Sequence, residues 1–383
     1  MPPPLRSVLL LAERLGVHDD GSSIVPFLDR LQGLGVNPQV LCLEAAGDAA
    51  FDHRVVEAPS LAHRWRLPFA VRGLRFGDHL HRPHLLHVLH ACMGDVGLAI
   101  AEHWKIPYVL TVDEFLSPSG RLRVSRRWCR KLIASSHELA DELQTALRVP
   151  AGRVIEVNPG IEIPDDPSRP LRRGVAVIGT AGPLMAGSGF ATFLNAARRV
   201  LDSGLDAEFV IAGQGEDEVD LRRRAERLKI ADRVTFAGIP VVGLRFWSVL
   251  DAFCQPSLVP SVGRTLATAM GYAVPCIAAD IQGLRALIEP GRNGVRVPPG
   301  DTTALARAIL GLFADPAKAK QLGLEARRMI ERDFRPDEES RRLVACYSEA
   351  IASEAPANWR EIRSERESQR SDDQDAEAET AAS

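Results

Sequence analysis

One pattern, repeated twice, limits what this chain can fold into: short apolar runs alternate with amphipathic stretches of helical length, and a proline-rich charged segment separates the two passages. In the first passage, from Ser7 to about Pro164, the strand-like runs are Val8 to Ala12, Gln39 to Leu43, Leu85 to Leu89, Tyr108 to Val112, Leu132 to Ser135 and Val154 to Val157. Strands that are apolar on both faces and separated by helices imply a parallel sheet covered on both sides. Glu162 to Arg173, EIPDDPSRPLRR, carries three prolines and dense charge, which suits an exposed connector. Beyond it, strands are expected at Val175 to Ile178, Glu208 to Ala212, Val234 to Phe236, Ala252 to Gln255 and Pro275 to Ala278. Helices are expected at Phe190 to Leu201, Asp217 to Lys229, Thr265 to Tyr272, Thr302 to Phe313 and Ala317 to Arg332. The fold class is therefore α/β, with two Rossmann-like, doubly wound parallel-sheet domains facing a cleft and a ligand expected at the carboxyl ends of the strands.

A chain of 383 residues, 45% hydrophobic and 25% charged, is too long for one compact core and about right for two. The expected divisions are residues 1–164, residues 174–335, a return helix over 336–355 and an acidic tail over 356–383. In that tail eight acids face four arginines, a composition too polar to repay ordering entropy. The whole chain has a net charge of −3, so no global basic field recruits nucleic acid, and any anion site must be local. No run of eighteen apolar residues exists and the opening residues lack a signal-peptide core, so a cytoplasmic location is expected. The six cysteines are scattered with no C-x-x-C pair, which argues against a disulfide framework or a structural zinc.

Gly213-Gln214-Gly215 follows a strand and precedes a helix, as a phosphate-cradling turn would, but the third glycine of the dinucleotide fingerprint is missing. A tight turn without ligand is the better reading of it. The stretch from Gln255 to Gly300 is more specific. It holds Pro256-Ser257 after a strand, Gly263 opening a helix, Ala269-Met270 within it, Val274-Pro275 at the next strand, and Asn293-Gly294 before a Pro-Pro-Gly-Asp helix cap. Earlier echoes are Gly21-Ser22, His87 ending a strand, the run IASSHELADEL from Ile133 to Leu143, and Asn158-Pro159-Gly160-Ile161-Glu162. Over most of its length the chain resembles the retaining glycosyltransferases of family 4, which have the GT-B fold.

The resemblance implies an N-terminal acceptor-side domain, a C-terminal nucleotide-sugar domain, and departure of a nucleoside diphosphate whose gathering negative charge needs cations or helix N-termini. A nucleotide-diphosphate sugar is the implied co-substrate, with no metal and no other cofactor, and the implied acceptor is a glycan or lipid-linked molecule. Family members carry an Arg in a Gly-Arg pair and a Lys in a Lys-Gly pair; here the matching pairs are Gly182-Pro183 and Ser188-Gly189. Two family glutamates seven residues apart are matched by Pro260 and Thr268, a third acid by Ala286, and a histidine after a first-domain strand by Asp113. The expected substrate-binding residues are Gly21, Ser22, Gly182, Ser188, Gly263, Arg264, Thr265, Leu266, Thr268 and Arg285, with Asp113 as the catalytic candidate. Arg264 and Arg285 are read as stand-in guanidiniums for phosphate, and against that as solvent-facing arginines. Thr268 is read equally as a ribose contact or a hydroxyl bonded to its own helix.

Two other features are weighed. Arg121 to Lys131 packs six cations around Trp128, and Leu61 to Phe76 interleaves arginines with Trp65, Phe69 and Phe76. Both can rest on anionic lipid at the inner membrane face, although a solvated helix face is the better reading. His79, His81, His84, His87 and His90 straddle a loop and a strand without a completing ligand, and are read as loop and core histidines. The functional expectation is a glycosyltransferase homologue that binds a nucleotide sugar with non-standard residues; the alternative is a silent relative acting as a partner protein, and an epimerase would need an acid pair that the sequence lacks.

Overall fold

The computed structural model describes residues 6–15, 24–63, 66–74, 80–115, 122–125, 127–145, 149–165, 174–238 and 244–353. Gly21, Ser22, His79, the acidic tail and parts of both cationic stretches lie outside them. The described residues form two compact units: those of 24–158 with the first strand and residues 339–353, and those of 159–338.

The first unit contains β1 (Arg6–Leu15), α1 (Val25–Gly33), β2 (Val36–Ala45), β3 (Val55–Glu57), α2 (Leu67–Gly73), β4 (Leu85–Val88), α3 (Gly94–Trp104), β5 (Tyr108–Val112), β6 (Cys129–Ala134), α4 (His137–Thr145) and β7 (Val154–Glu156). The second contains β8 (Ala176–Ala181), α5 (Phe190–Asp202), β9 (Ala207–Ala212), α6 (Glu218–Arg227), β10 (Val234–Phe236), α7 (Leu244–Val249), β11 (Ala252–Gln255), α8 (Arg264–Gly271), β12 (Cys276–Ala279), α9 (Leu284–Leu287), β13 (Val295–Val297), α10 (Thr302–Ala314) and α11 (Pro316–Asp333). The last helix, α12 (Pro336–Ala352), supplies Leu343, Cys346, Tyr347 and Ala350 to the core of the first unit.

The sheets run in the orders β3-β2-β1-β4-β5-β6-β7 and β10-β9-β8-β11-β12-β13. All the registered pairings are parallel, in keeping with strands too apolar to expose either face. Pro38, which cannot donate a ladder bond, lies outside the stretch of β2 that β3 pairs, Val40 to Cys42. The three-residue strands β3 and β13 sit at sheet edges and are additional to the expected strands, whereas the equally short edge strands β7 and β10 fall where strands are expected. In the second unit the inner strands alternate cleanly: Ile178, Ala252 and Cys254 join the core under α5 and α10, whereas Val177, Phe253 and Ala278 join the core under α8. Phe253, Trp247, Phe246 and Tyr272 stack in tilted and edge-on contacts, and burying each such ring stabilises the unit by about 2–3 kcal/mol. The expected cap in Pro-Pro-Gly-Asp is present: the Asp301 carboxylate accepts from the Thr303 and Ala304 amides at 2.9 and 2.8 Å.

His87 fastens α12 to the first sheet. Its Nδ1 lies 2.7 Å from the Tyr347 hydroxyl and its Nε2 2.8 Å from Thr111 Oγ1, with the ring 1% exposed. Burial, aided by the nearby His90, pushes its pKa down from 6.5 to about 3. The folded state therefore refuses a proton that the unfolded chain accepts between those values, so stability is intact above pH 6.5 and is lost as pH falls. Calorimetric melting from pH 7 to pH 4 should show a loss approaching about 1.4 kcal/mol per pH unit from this one group, and His87→Asn should flatten that slope.

Candidate functional site

In the second unit the strand order reverses between β8 and β11, so the connections from these neighbours leave in opposite directions and open a crevice at their carboxyl ends. Two loops form its walls, residues 182–189 after β8 and 256–263 after β11. They are tied together by the Leu258 amide, which donates to Gly187 O at 2.7 Å. Gly189 closes the contact. With φ at +79°, it brings its Cα so near β11's loop that a Cβ there would lie 1.9 Å from the Pro256 carbonyl oxygen.

Each loop ends in a helix with no side-chain cap: Gly189 precedes α5 and Gly263, at φ +75°, precedes α8. The first intrahelical bond of α8 runs from Ala267 N–H to Gly263 O at 2.8 Å, so the amides of Arg264, Thr265 and Leu266 come before the ladder begins. Such a helix start concentrates N–H donors and the positive end of the dipole at the crevice. Three large apolar side chains stand exposed on the same loops: Met185, Leu258 and Val259.

The expected site residues separate in this geometry. Gly182, Ser188, Gly263, Arg264, Thr265 and Leu266 all lie on the two loops or the first turn of α8. The Ser188 hydroxyl donates to Pro183 O at 2.7 Å, holding its own loop. Thr268 is 5% exposed and its hydroxyl donates to Arg264 O at 3.1 Å, which is the helix-bonded alternative of its two readings. Arg285 is held by Asp280, with Nε 2.7 Å from the carboxylate and Nη2 3.2 Å from the carbonyl. The Arg285 guanidinium, with Arg296 beside it, keeps the Asp280 carboxyl below its ordinary range. Gly213 and Gly215 make room for a neighbouring loop: a Cβ on Gly213 would meet Gly182 O at 1.9 Å, and Leu184 N–H donates to Gln214 O at 2.9 Å. Asn293, 3% exposed, is a turn-holder that accepts from Glu289 N–H and donates to Leu287 O.

At the carboxyl end of the first sheet, Asp113 directly follows β5 and pairs with His90, two residues beyond β4, at 2.6 Å. Its other oxygen accepts from the Ala91 amide at 3.3 Å. Burial, and then the Asp113 charge, raises the pKa of the adjacent Glu114 carboxyl. Sequence reading placed Asp113 here but grouped His90 with loop and core histidines. The signal that distinguishes it is positional, since His90 and Asp113 each stand just past the end of adjacent strands. Among the described residues no three His, Cys, Asp or Glu side chains come together to hold a metal ion, and no helix is long and apolar enough to cross a membrane.

Residues 22–163 match the family model described as Glycosyltransferase Family 4, and residues 175–315 the model described as Glycosyl transferases group 1. Alpha-D-kanosaminyltransferase of Streptomyces kanamyceticus is 30% identical over 151 residues, a stretch covering only 38% of this chain and 38% of that relative. D-inositol 3-phosphate glycosyltransferase 2 of Catenulispora acidiphila is 26% identical over 391 aligned positions, covering 84% of this chain and 90% of the relative. Among solved structures, Anabaena HepE in complex with UDP and glucose superposes with a TM-score of 0.72 at 17% identity, covering 89% of this chain and 99% of HepE. Sucrose-phosphate synthase from Thermosynechococcus elongatus superposes with a TM-score of 0.73 at 17% identity, covering 91% of this chain and 99% of that one.

The contact at Gly189 gives a direct check on the crevice. Both backbone strain and the collision with a carbonyl oppose any side chain there, so Gly189→Ala should cost on the order of 2 kcal/mol or more. For a unit of this size that corresponds to an apparent melting temperature lower by roughly 5 °C in scanning calorimetry.

Proposed function

Because the chain belongs to glycosyltransferase family 4 and has the GT-B fold, we propose that its second unit binds a nucleoside diphosphate sugar at the β8–β11 crevice and transfers the sugar slowly to a glycan or lipid-linked acceptor. The observation that carries this reading is the start of α8: three leading amides without a side-chain cap, on a loop fixed to its neighbour across the strand-order reversal. A diphosphate there is held mainly by peptide N–H groups and the helix dipole. Arg264, at the first position of α8, is the nearest side-chain cation by sequence.

The expected rate follows from what stabilises the leaving group. The family resemblance implies cations at the positions that Pro183 and Ser188 occupy, and the loss of one electrostatic donor in such a site costs about 3–4 kcal/mol of barrier. Two such losses amount to four or more powers of ten in rate unless peptide dipoles compensate. The exposed Met185, Leu258 and Val259 add apolar contact in place of charge. The HepE complexes with UDP and UDP-glucose recommend UDP as the first nucleotide to try, and the relatives' names recommend D-inositol 3-phosphate as an acceptor and a kanosaminyl group as a transferred sugar to include in the trial.

A second reading keeps the fold and the binding crevice but assigns the protein a partner role without transfer, favoured by the same missing cations. Calorimetry with UDP, GDP and their glucose conjugates should show binding in the micromolar range for at least one, weakened about ten-fold or more in Arg264→Ala, where a charge-assisted hydrogen bond is lost. Mass spectrometry of the incubated nucleotide sugars should show slow release of nucleoside diphosphate. Binding without release moves the assignment to the partner role, and absence of binding to every nucleotide overturns the proposal.

A further inference from the structure

The amino ends of β6 and β7, opposite the end of the sheet that carries His90 and Asp113, gather four cations: Arg127 in the turn before β6, Arg130 and Lys131 within it, and Arg153 just before β7. Arg130 stands apart from the others. It is only 6% exposed, its Nη1 donates to Arg127 O at 2.6 Å, and its buried Nε has no hydrogen-bond partner among the described residues. No described carboxylate pairs with it, and a neighbouring charge is that of Arg153, whose Nη1 donates to Arg130 O at 3.0 Å. Burial, then the like charge of Arg153, holds the Arg130 pKa below the ordinary guanidinium value. A guanidinium stays ionised even so, and a buried charge left without an anion is costly. Arg127, exposed and 5.0 Å from the Trp128 ring, extends the same cationic edge into solvent.

The chain itself brings carboxylates to this edge. Lys131 Nζ lies 3.2 Å from the Glu349 carboxylate and donates to Gly152 O at 2.9 Å, so the last turn of α12 stands against the amino ends of β6 and β7. Helix α12 stops at Ala352, and the sequence beyond it closes with SDDQDAEAETAAS, Ser371 to Ser383, in which Asp372, Asp373, Asp375, Glu377 and Glu379 stand without a single Lys or Arg. The nineteen residues from Ser353 to Asp372 can span up to about 65 Å, far more than neighbouring strand ends require. Tethering also raises the effective concentration of such a segment to the millimolar range, so a contact too weak for a separate peptide is still occupied. We propose that the acidic segment Ser371 to Ser383 docks on the cationic edge around Arg127 and Arg130. The seated segment neutralises a face that otherwise attracts other polyanions, and the contact is governed by salt, because the Debye length falls from about 8 Å at 0.15 M to about 3 Å at 1 M.

Zero-length carbodiimide cross-linking of the full chain, read by mass spectrometry of the digested peptides, tests it. The Lys131–Glu349 pair, 3.2 Å apart, serves as the internal standard. The expected result at low ionic strength is a second product joining Lys131 to a carboxylate between Asp372 and Glu379, in preference to products at the more exposed Lys229, Lys318 and Lys320. Its yield relative to the standard should fall about five-fold in 1 M salt, and by a similar factor in Arg127→Ser, a surface change that spares the core. Links to Lys229, Lys318 and Lys320 as frequent as those to Lys131, or a yield indifferent to both salt and Arg127→Ser, overturn the proposal. The Arg130 Nε–H resonance of the nitrogen-15-labelled chain, assigned with Arg130→Lys, gives a second readout. It should move when the five acids are changed to their amides and return when the peptide Ser371 to Ser383 is added. A resonance that ignores those changes and shifts instead with phosphatidylglycerol vesicles makes a lipid surface the occupant and overturns the assignment to the segment.

Discussion

Burying both faces of a parallel sheet is the constraint from which the rest follows. Each strand must return to the same end through a crossover, the crossovers share one hand, and helices can cover both faces only if strand order turns back somewhere. In each of the two sheets that turn falls beside the first strand of its unit, between β1 and β4 and between β8 and β11. At those places the backbone itself makes a recess lined with loop ends and helix starts. In the second unit the recess is tight enough that the loop after β8 passes the loop after β11 at glycine distance. Chemistry at such a place begins with peptide groups, and side chains refine it.

How much of this was legible in the sequence depended on how local the signal was. The inner strands declared themselves through runs such as Val8 to Leu11 and Val177 to Ile178, because burial on two faces keeps most positions apolar. The edge strands Val55–Glu57 and Val295–Val297 did not, since each places a charged residue, Glu57 or Arg296, among only three positions. Gly263 and Asp301 could be read as helix boundaries because their roles depend on residues within one turn. His90 and Asp113 are 23 positions apart, and their pairing exists only because β4 and β5 are neighbours in the sheet. Arg285 read as a loose cation, and its bond to Asp280 depends on the short turn between β12 and α9.

The two recesses differ in electrostatic character. The one at β8–β11 offers amide hydrogens and the positive ends of two helices, with apolar side chains on its loops, and so favours an anion that brings its own oxygens. The one beside β1 and β4 is flanked by the His90–Asp113 pair, an imidazole and a carboxylate 2.6 Å apart.

The seating of Tyr347 against His87 bears on how the protein is made. Four side chains of α12 complete the core of the first unit, yet the whole of the second unit lies between them and β7 in the chain. During synthesis the core of the earlier unit is therefore completed only after the ribosome has delivered a full additional domain. The later unit can close first, although it is translated second.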